Sequence, residues 1–216
     1  MMKYFDDFEF NEAIRYIEAI FTLGGLSECG KTSAGIYLEE LPYQIKRYKI
    51  IHIEKQMMEA RGYNLTDGMK DEHFQQLYSS LDCEDTFKEF IVRLVKRMKL
   101  DNVKRASIES LYRAPFGEFL KNVLGERCAN IYIDAPVELR ARRQWEKKCM
   151  EEGAVSLDYI TNIVKEKDIF KEIHKASECK TIADYVVDNG ENISKDKFLA
   201  EIKMIALNTI NTNMDK

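Results

Sequence analysis

The apolar positions of this 216-residue chain alternate between short continuous runs and longer stretches with helical spacing. Ile17 to Leu23 is a run of the first kind, closed by Gly24 and Gly25, and reads as a strand. A helix follows from Lys31 to about Leu41, where Pro42 stops it, because proline lacks an N–H and clashes with the preceding turn. Tyr48 to Ile53 reads as a second strand. Asp71 to Leu100 reads as helical, with Phe87, Phe90, Ile91, Leu94, Val95 and Met98 at spacings of three and four on one core-facing side. Val103 to Ile108 is a third strand that contains Lys104 and Arg105, and Pro115 opens a helix ending near Gly125. Ala129 to Asp134 is a buried strand, and Pro136 starts the next helix. Charged helices fill Glu138 to Glu178, and Tyr185 to Asp188 is the last strand. Asn189-Gly190 then turns into a helix with Phe198, Ile202 and Ile205 on one face.

Strands alternating with helices predict βαβ units, hence a three-layer α/β/α fold around a parallel sheet of about five strands. Residues 1–16 precede the opening strand as an N-terminal extension with a short docking helix from Asn11, and 17–210 form one domain.

Composition narrows the classes. Hydrophobic residues at 45% and charged residues at 32% are ordinary for a folded domain and exclude a disordered chain. The net charge of −4, from 33 basic and 37 acidic residues, gives no global positive field for a nucleic-acid backbone. Five scattered cysteines (Cys29, Cys83, Cys128, Cys149 and Cys179) and three dispersed histidines form neither a zinc pattern nor a disulfide framework, which fits a reducing cytoplasm. No apolar stretch approaches the about 20 residues that cross a bilayer, so no membrane partner is expected.

One motif carries sharp chemistry. Gly25-Leu26-Ser27-Glu28-Cys29-Gly30-Lys31-Thr32 satisfies G-x-x-x-x-G-K-[ST] between an apolar strand and an amphipathic helix. Its glycines let the backbone curl so that successive N–H groups face phosphate oxygens, and the helix N-terminus adds positive potential. Lys31 then reaches the β- and γ-phosphates of ATP, and the Thr32 hydroxyl binds Mg²⁺. Cys29 sits where a helix N-terminus can lower a thiol pKa, although a packing role explains it as well.

Around this loop the chain resembles small-molecule P-loop kinases of the adenylate kinase class, and dephospho-CoA kinase with its archaeal relatives in particular. Four stretches carry the resemblance in order: GLSECGKTSAGIYL, IIHIEKQMMEARGY, SIESLYRAPFGEFLKNVLG, and IYIDAPVELRARRQWEKK through KDIFKEIHKASECKTIADYVVDNGEN. The resemblance implies ATP- and Mg²⁺-dependent phosphoryl transfer to a small acceptor, such as a nucleotide, a nucleoside or a dephospho-CoA-like molecule. It also implies an acceptor-side helical cap at about 55–100 and a small helical lid at about 140–168. Glu54 stands where the family carries a catalytic aspartate, and Glu109-Ser110 stands for the family's Asp-Gly near Mg²⁺. Arg113 becomes an acceptor-phosphate ligand, Arg140 and Arg143 lid cations, and Asn189 and Gly190 the backbone that packs on adenine.

Each of these residues has a plainer explanation. Arg140, Arg143 and Lys147 share one face of a helix and equally form a solvated basic surface. Arg113 equally forms a loop salt bridge, Glu54 a helix-start carboxylate, and Asn189-Gly190 a left-handed turn. Two other functions compete: a regulatory ATP-binding module with little turnover, and a polynucleotide kinase. The net acidity and the lack of a basic-aromatic stripe disfavour the second.

Overall fold

The computed structural model describes residues 5–63 and 83–212. The chain runs α1 (Asp7–Tyr16), β1 (Ala19–Gly24), α2 (Lys31–Glu40), β2 (Ile45–Lys49), α3 (Ile50–Ala60), α4 (Glu84–Leu100), β3 (Arg105–Leu111) and α5 (Ala114–Leu124). It continues through β4 (Cys128–Asp134), α6 (Val137–Glu152), α7 (Leu157–Ile173), β5 (Tyr185–Asp188) and α8 (Lys195–Asn211). The five strands form one parallel sheet in the order β2-β3-β1-β4-β5.

Every residue of β1 is buried, as a central strand covered on both faces requires. Its side chains alternate between two cores. Phe21 and Leu23 meet Ala34 and Leu38 of α2 and Phe198, Ile202 and Ile205 of α8. Ile20 points to the other layer, where α1, α3, α4 and α5 supply Phe10, Ile53, Phe90 and Phe116. The predicted α4 face lies wholly in this second core. Sheet order reverses at β1, between β3 and β4, so the carboxyl ends of these strands leave a crevice where α/β folds take ligands.

Three expectations need correction. The second strand is Ile45–Lys49, and Ile50 already begins α3. The β-branched run Ile50, Ile51, Ile53 imitates a strand, yet Ile50, Ile53, Glu54, Met57 and Met58 are buried at helical spacing. Short apolar runs cannot be sorted by periodicity alone. The third strand extends to Leu111, which places Glu109 and Ser110 inside it. The N-terminal helix starts at Asp7, not Asn11, because Asp6 and Glu9 form a reciprocal capping box. Residues 71–82 of the expected 71–100 helix lie outside the described residues, as do residues 64–82 of the expected 55–100 cap.

Candidate active site

The Gly25–Thr32 loop leaves β1 through Gly25 at φ 126° and enters α2 through Gly30 at φ 115°. A Cβ on Gly25 would overlap the Ile133 carbonyl and come within 2.7 Å of Cys29 Sγ, while one on Gly30 would lie 2.5 Å from Asn189 Nδ2. Both positions therefore demand glycine for conformation and for space. Lys31 is only 7% exposed and turns back over the loop. Its Nζ donates to the Gly25 carbonyl at 2.9 Å and the Leu26 carbonyl at 2.5 Å, with Cys29 Sγ at 3.4 Å.

Two helices hold the loop from outside. Asp168 of α7 accepts the Ser27 N–H at 3.1 Å, and Arg140 of α6 donates to the Ser27 carbonyl at 2.8 Å. Arg140 also donates to the Ala135 carbonyl and pairs with Asp168, its Nη2 lying 2.8 Å from Oδ2. Arg140 is 3% exposed. Its guanidinium is thus a strut beneath Ser27 in this conformation, buried rather than part of a solvated helix face. α6 and α7 pack on each other through Ala141, Ile160 and Val164, and this fixes where Arg140 and Asp168 meet.

Arg143, one turn along α6, donates from Nη2 to the carbonyl of Asn189 at 2.9 Å and to its Oδ1 at 3.2 Å. Nη1 is buried without a hydrogen-bond partner, and burial lowers the guanidinium pKa. Asn189 also donates from Nδ2 to the Cys29 carbonyl at 2.8 Å. It therefore ties the end of β5 to the Gly25–Thr32 loop. Neither Asn189 nor Gly190 has positive φ, so the left-handed turn expected as their plainer explanation is not formed.

These elements enclose a cavity of about 470 Å³ at the carboxyl end of β1. Lys31, Arg143, Lys147, Lys171 and Lys195 line it, against one carboxylate, Glu28, whose charge is shared with Lys167 at 3.3 Å. Ile193 and Phe198 supply apolar surface on the β5–α8 side. Five basic side chains lining one cavity favour a polyanion.

Lys171 is the residue that sequence reading missed. It stands three positions after Asp168 on α7 and lines the cavity. Burial, and then the neighbouring Lys31 ammonium, push its pKa down to about 7, with Cys29 and Asp168 pulling the other way. In sequence it follows a charged helical run, Lys165-Glu166-Lys167-Asp168, and nothing in that pattern marks one lysine as special. Only the packing of α7 over the loop selects it.

Away from this cavity, Glu54 and Arg113 meet although 59 positions separate them, with Arg113 Nη2 2.5 Å from Glu54 Oε1. The Tyr112 hydroxyl donates to the same carboxylate at 2.8 Å, and burial followed by the Glu54 charge raises the Tyr112 pKa well above its usual value. The Arg113 guanidinium lies over the rings of Tyr112 and Phe87, at 5.5 and 5.9 Å. Glu54 is fully buried in the middle of a helix turn, so the helix-start reading fails. Neither Glu54 nor Arg113 lines the cationic cavity. His174, at the end of α7, meets Tyr112 edge-on at 5.9 Å, so one helix borders both the Gly25–Thr32 loop and this cluster.

Of the two expected metal ligands, Thr32 lines the cavity and Glu109 does not. Glu109 is 2% exposed, pairs with Arg47 at 2.9 Å, and would stand 2.6 Å from a Cβ on Gly35. The parallel partner strand β2 brings Arg47 beside it and turns its charge toward α2. Among the described residues no group of three His, Cys, Asp or Glu side chains could hold a metal ion by itself.

No protein-family model and no curated protein matches the chain. Among solved structures, it resembles an uncharacterized protein from Eubacterium ventriosum ATCC 27560 at 15% identity, over 87% of this chain and 98% of that one, with a TM-score of 0.53. It also resembles shikimate kinase from Acinetobacter baumannii in complex with shikimate, at 18% identity over 95% and 99% of the two chains, with a TM-score of 0.49. A gluconokinase from Sinorhizobium meliloti 1021 follows at 12% identity over 93% and 98%, with a TM-score of 0.44. At such identities the likeness is one of fold, and the chemistry has to be argued from this chain's own residues.

Proposed function

We propose that this chain is an ATP-dependent phosphotransferase acting on a small molecule, with a nucleotide, a nucleoside or a dephospho-CoA-like compound as acceptor. The observation that carries the proposal is the glycine-bounded loop with Lys31 folded over it, opening into a cavity lined by five basic side chains. Phosphoryl transfer asks little covalent help from a protein; it needs positioning and charge around the transferred group. Lys31 and Lys171 supply ammonium groups for the phosphates, and Ile193 with Phe198 offers a surface for the base. A magnesium ion bound through Thr32 would neutralise charge on the phosphate oxygens. Glu54, held by Tyr112 and Arg113, orients the acceptor hydroxyl, and Arg113 sets the electrostatics of that wall.

The direct test is transfer of labelled phosphate from ATP to a set of small acceptors, with product identified by mass. ATP at a hundred times its Kd should also stabilise the fold by about 2.7 kcal/mol. Glu54→Gln should lower kcat by about 10²-fold or more if the carboxylate orients the acceptor. An effect limited to the KM for ATP would remove Glu54 from the acceptor side.

One set of observations favours a regulatory ATP-binding module instead: Glu54 is engaged by Arg113, Glu109 by Arg47, and Arg140 by Asp168. Stabilisation by ATP without any labelled product, in single-turnover conditions, would select it.

Lys171 makes either reading pH-dependent. Its amine is half neutral near pH 7 in the free protein, because the folded pKa lies below the ordinary value. A bound phosphate favours the charged form, so ATP binding takes up a proton above that pH. Affinity should fall as pH rises from about 7, by at most about tenfold per unit. Titrations in buffers of different ionisation enthalpy will report the proton uptake, and Lys171→Met should abolish it. Unchanged uptake in that variant would assign the proton to another group.

A further inference from the structure

We infer that Ser110 is a further binding residue, its hydroxyl contacting the terminal phosphoryl group of a bound nucleoside triphosphate; the inference rests on the nucleotide reading above. It starts from an irregularity in the sheet. β1 and β3 pair in register up to Leu23 opposite Glu109, but Gly24 then faces Leu111. Ser110 is the extra residue, and its φ is 70°. Left-handed backbone is unfavourable for a residue with a Cβ, and strain of this kind gathers at functional sites. A bulge also re-aims the side chains around it.

The bulge separates two neighbours. Glu109 goes to Arg47 and α2, while Ser110 lines the cavity with Lys31 and Thr32. Among the described residues the Ser110 hydroxyl has no hydrogen-bond partner. Strand order then says which end of a ligand it meets. β3 lies on one side of β1, and β4 and β5 lie on the other. The apolar surface of Ile193 and Phe198 belongs to the β5–α8 side. A nucleotide with its base there and its phosphates along the loop ends toward β3, at Ser110. Glycine at this position would satisfy the backbone without strain, so the serine contributes its hydroxyl at a conformational cost.

The experiment compares ATP and ADP binding by calorimetry in wild type, Ser110→Gly and Ser110→Ala, with no acceptor present. Both variants should lose about tenfold in ATP affinity, the worth of one hydrogen bond to a charged group, while ADP affinity stays within about twofold. Ser110→Gly should also melt at a higher temperature than wild type, since glycine relaxes the left-handed backbone. That combination cannot come from a merely structural serine. Equal losses for ATP and ADP, or none in either variant, would overturn the inference and leave the nucleotide reading standing. Failure of the wild type to bind either nucleotide would bring down that reading and this inference together.

Discussion

Lys31→Ala is expected to lower the rate of phosphoryl transfer by about 10²–10³-fold, the loss typical of one preorganised charge at the reacting group. The physical reason is local. In the free protein the Lys31 ammonium is held over the loop by the Gly25 and Leu26 carbonyls, so it is already near the phosphate path when a nucleotide arrives. Little reorganisation is needed to turn it toward phosphate oxygens. The glycines and the strand–helix frame fix the loop without it, so the melting temperature should change little. A second readout follows from its neighbour. Lys31 is one of the causes that depress the Lys171 pKa, so in Lys31→Ala the Lys171 amine should titrate higher than about 7. Proton uptake on ATP binding should shrink accordingly. Full turnover in a folded Lys31→Ala protein would remove this loop from the chemistry altogether.

Arg140→Ala should act on stability, where a lid cation would act on turnover alone. The Arg140 and Asp168 side chains are 4% and 14% exposed, and the guanidinium also carries the Ser27 and Ala135 carbonyls. Removing one partner of a buried pair leaves the other uncompensated, which costs about 3 kcal/mol at the lower end of the measured range. For a chain of this size that lowers Tm by roughly 6–12 °C. Replacing both Arg140 and Asp168 with alanine should cost less than the two single changes added together, because the second change removes the stranded charge. Thermal melts of the three variants are the measurement. An Arg140→Ala protein with wild-type Tm and reduced kcat would remove the strut and favour the clamp role.

Arg143 behaves differently because two of its surroundings conflict. Nη2 is anchored on Asn189, while Nη1 is buried without a partner beside the cavity. An unsatisfied buried donor is costly to leave alone. A ligand oxygen within reach would relieve it, so of the two arginines Arg143 is the one poised toward the cavity.

The conformation of the Gly25–Thr32 loop was legible in the chain because it depends on local requirements. Two glycines that must adopt positive φ, a lysine and a threonine follow one another at fixed spacing between an apolar strand and a helix. The buried run of β4 and the apolar face of α4 were equally readable, since burial on both sides or on one imposes its own periodicity. The boundary at Ile50 was not, because a β-branched run suits a strand or a buried helix face and the choice depends on what packs against it. What only the tertiary structure decided is where the charges go. Arg47 claims Glu109 because β2 lies beside β3, Arg113 claims Glu54 across 59 positions, and Asp168 claims Arg140 because α6 packs on α7. Coulomb pairing acts through space and ignores chain order, so a lone sequence names the charged residues but not their partners. Lys171 and Ser110 come into view for the same reason, one through a helix laid over the loop and the other through a single residue's slip between two parallel strands.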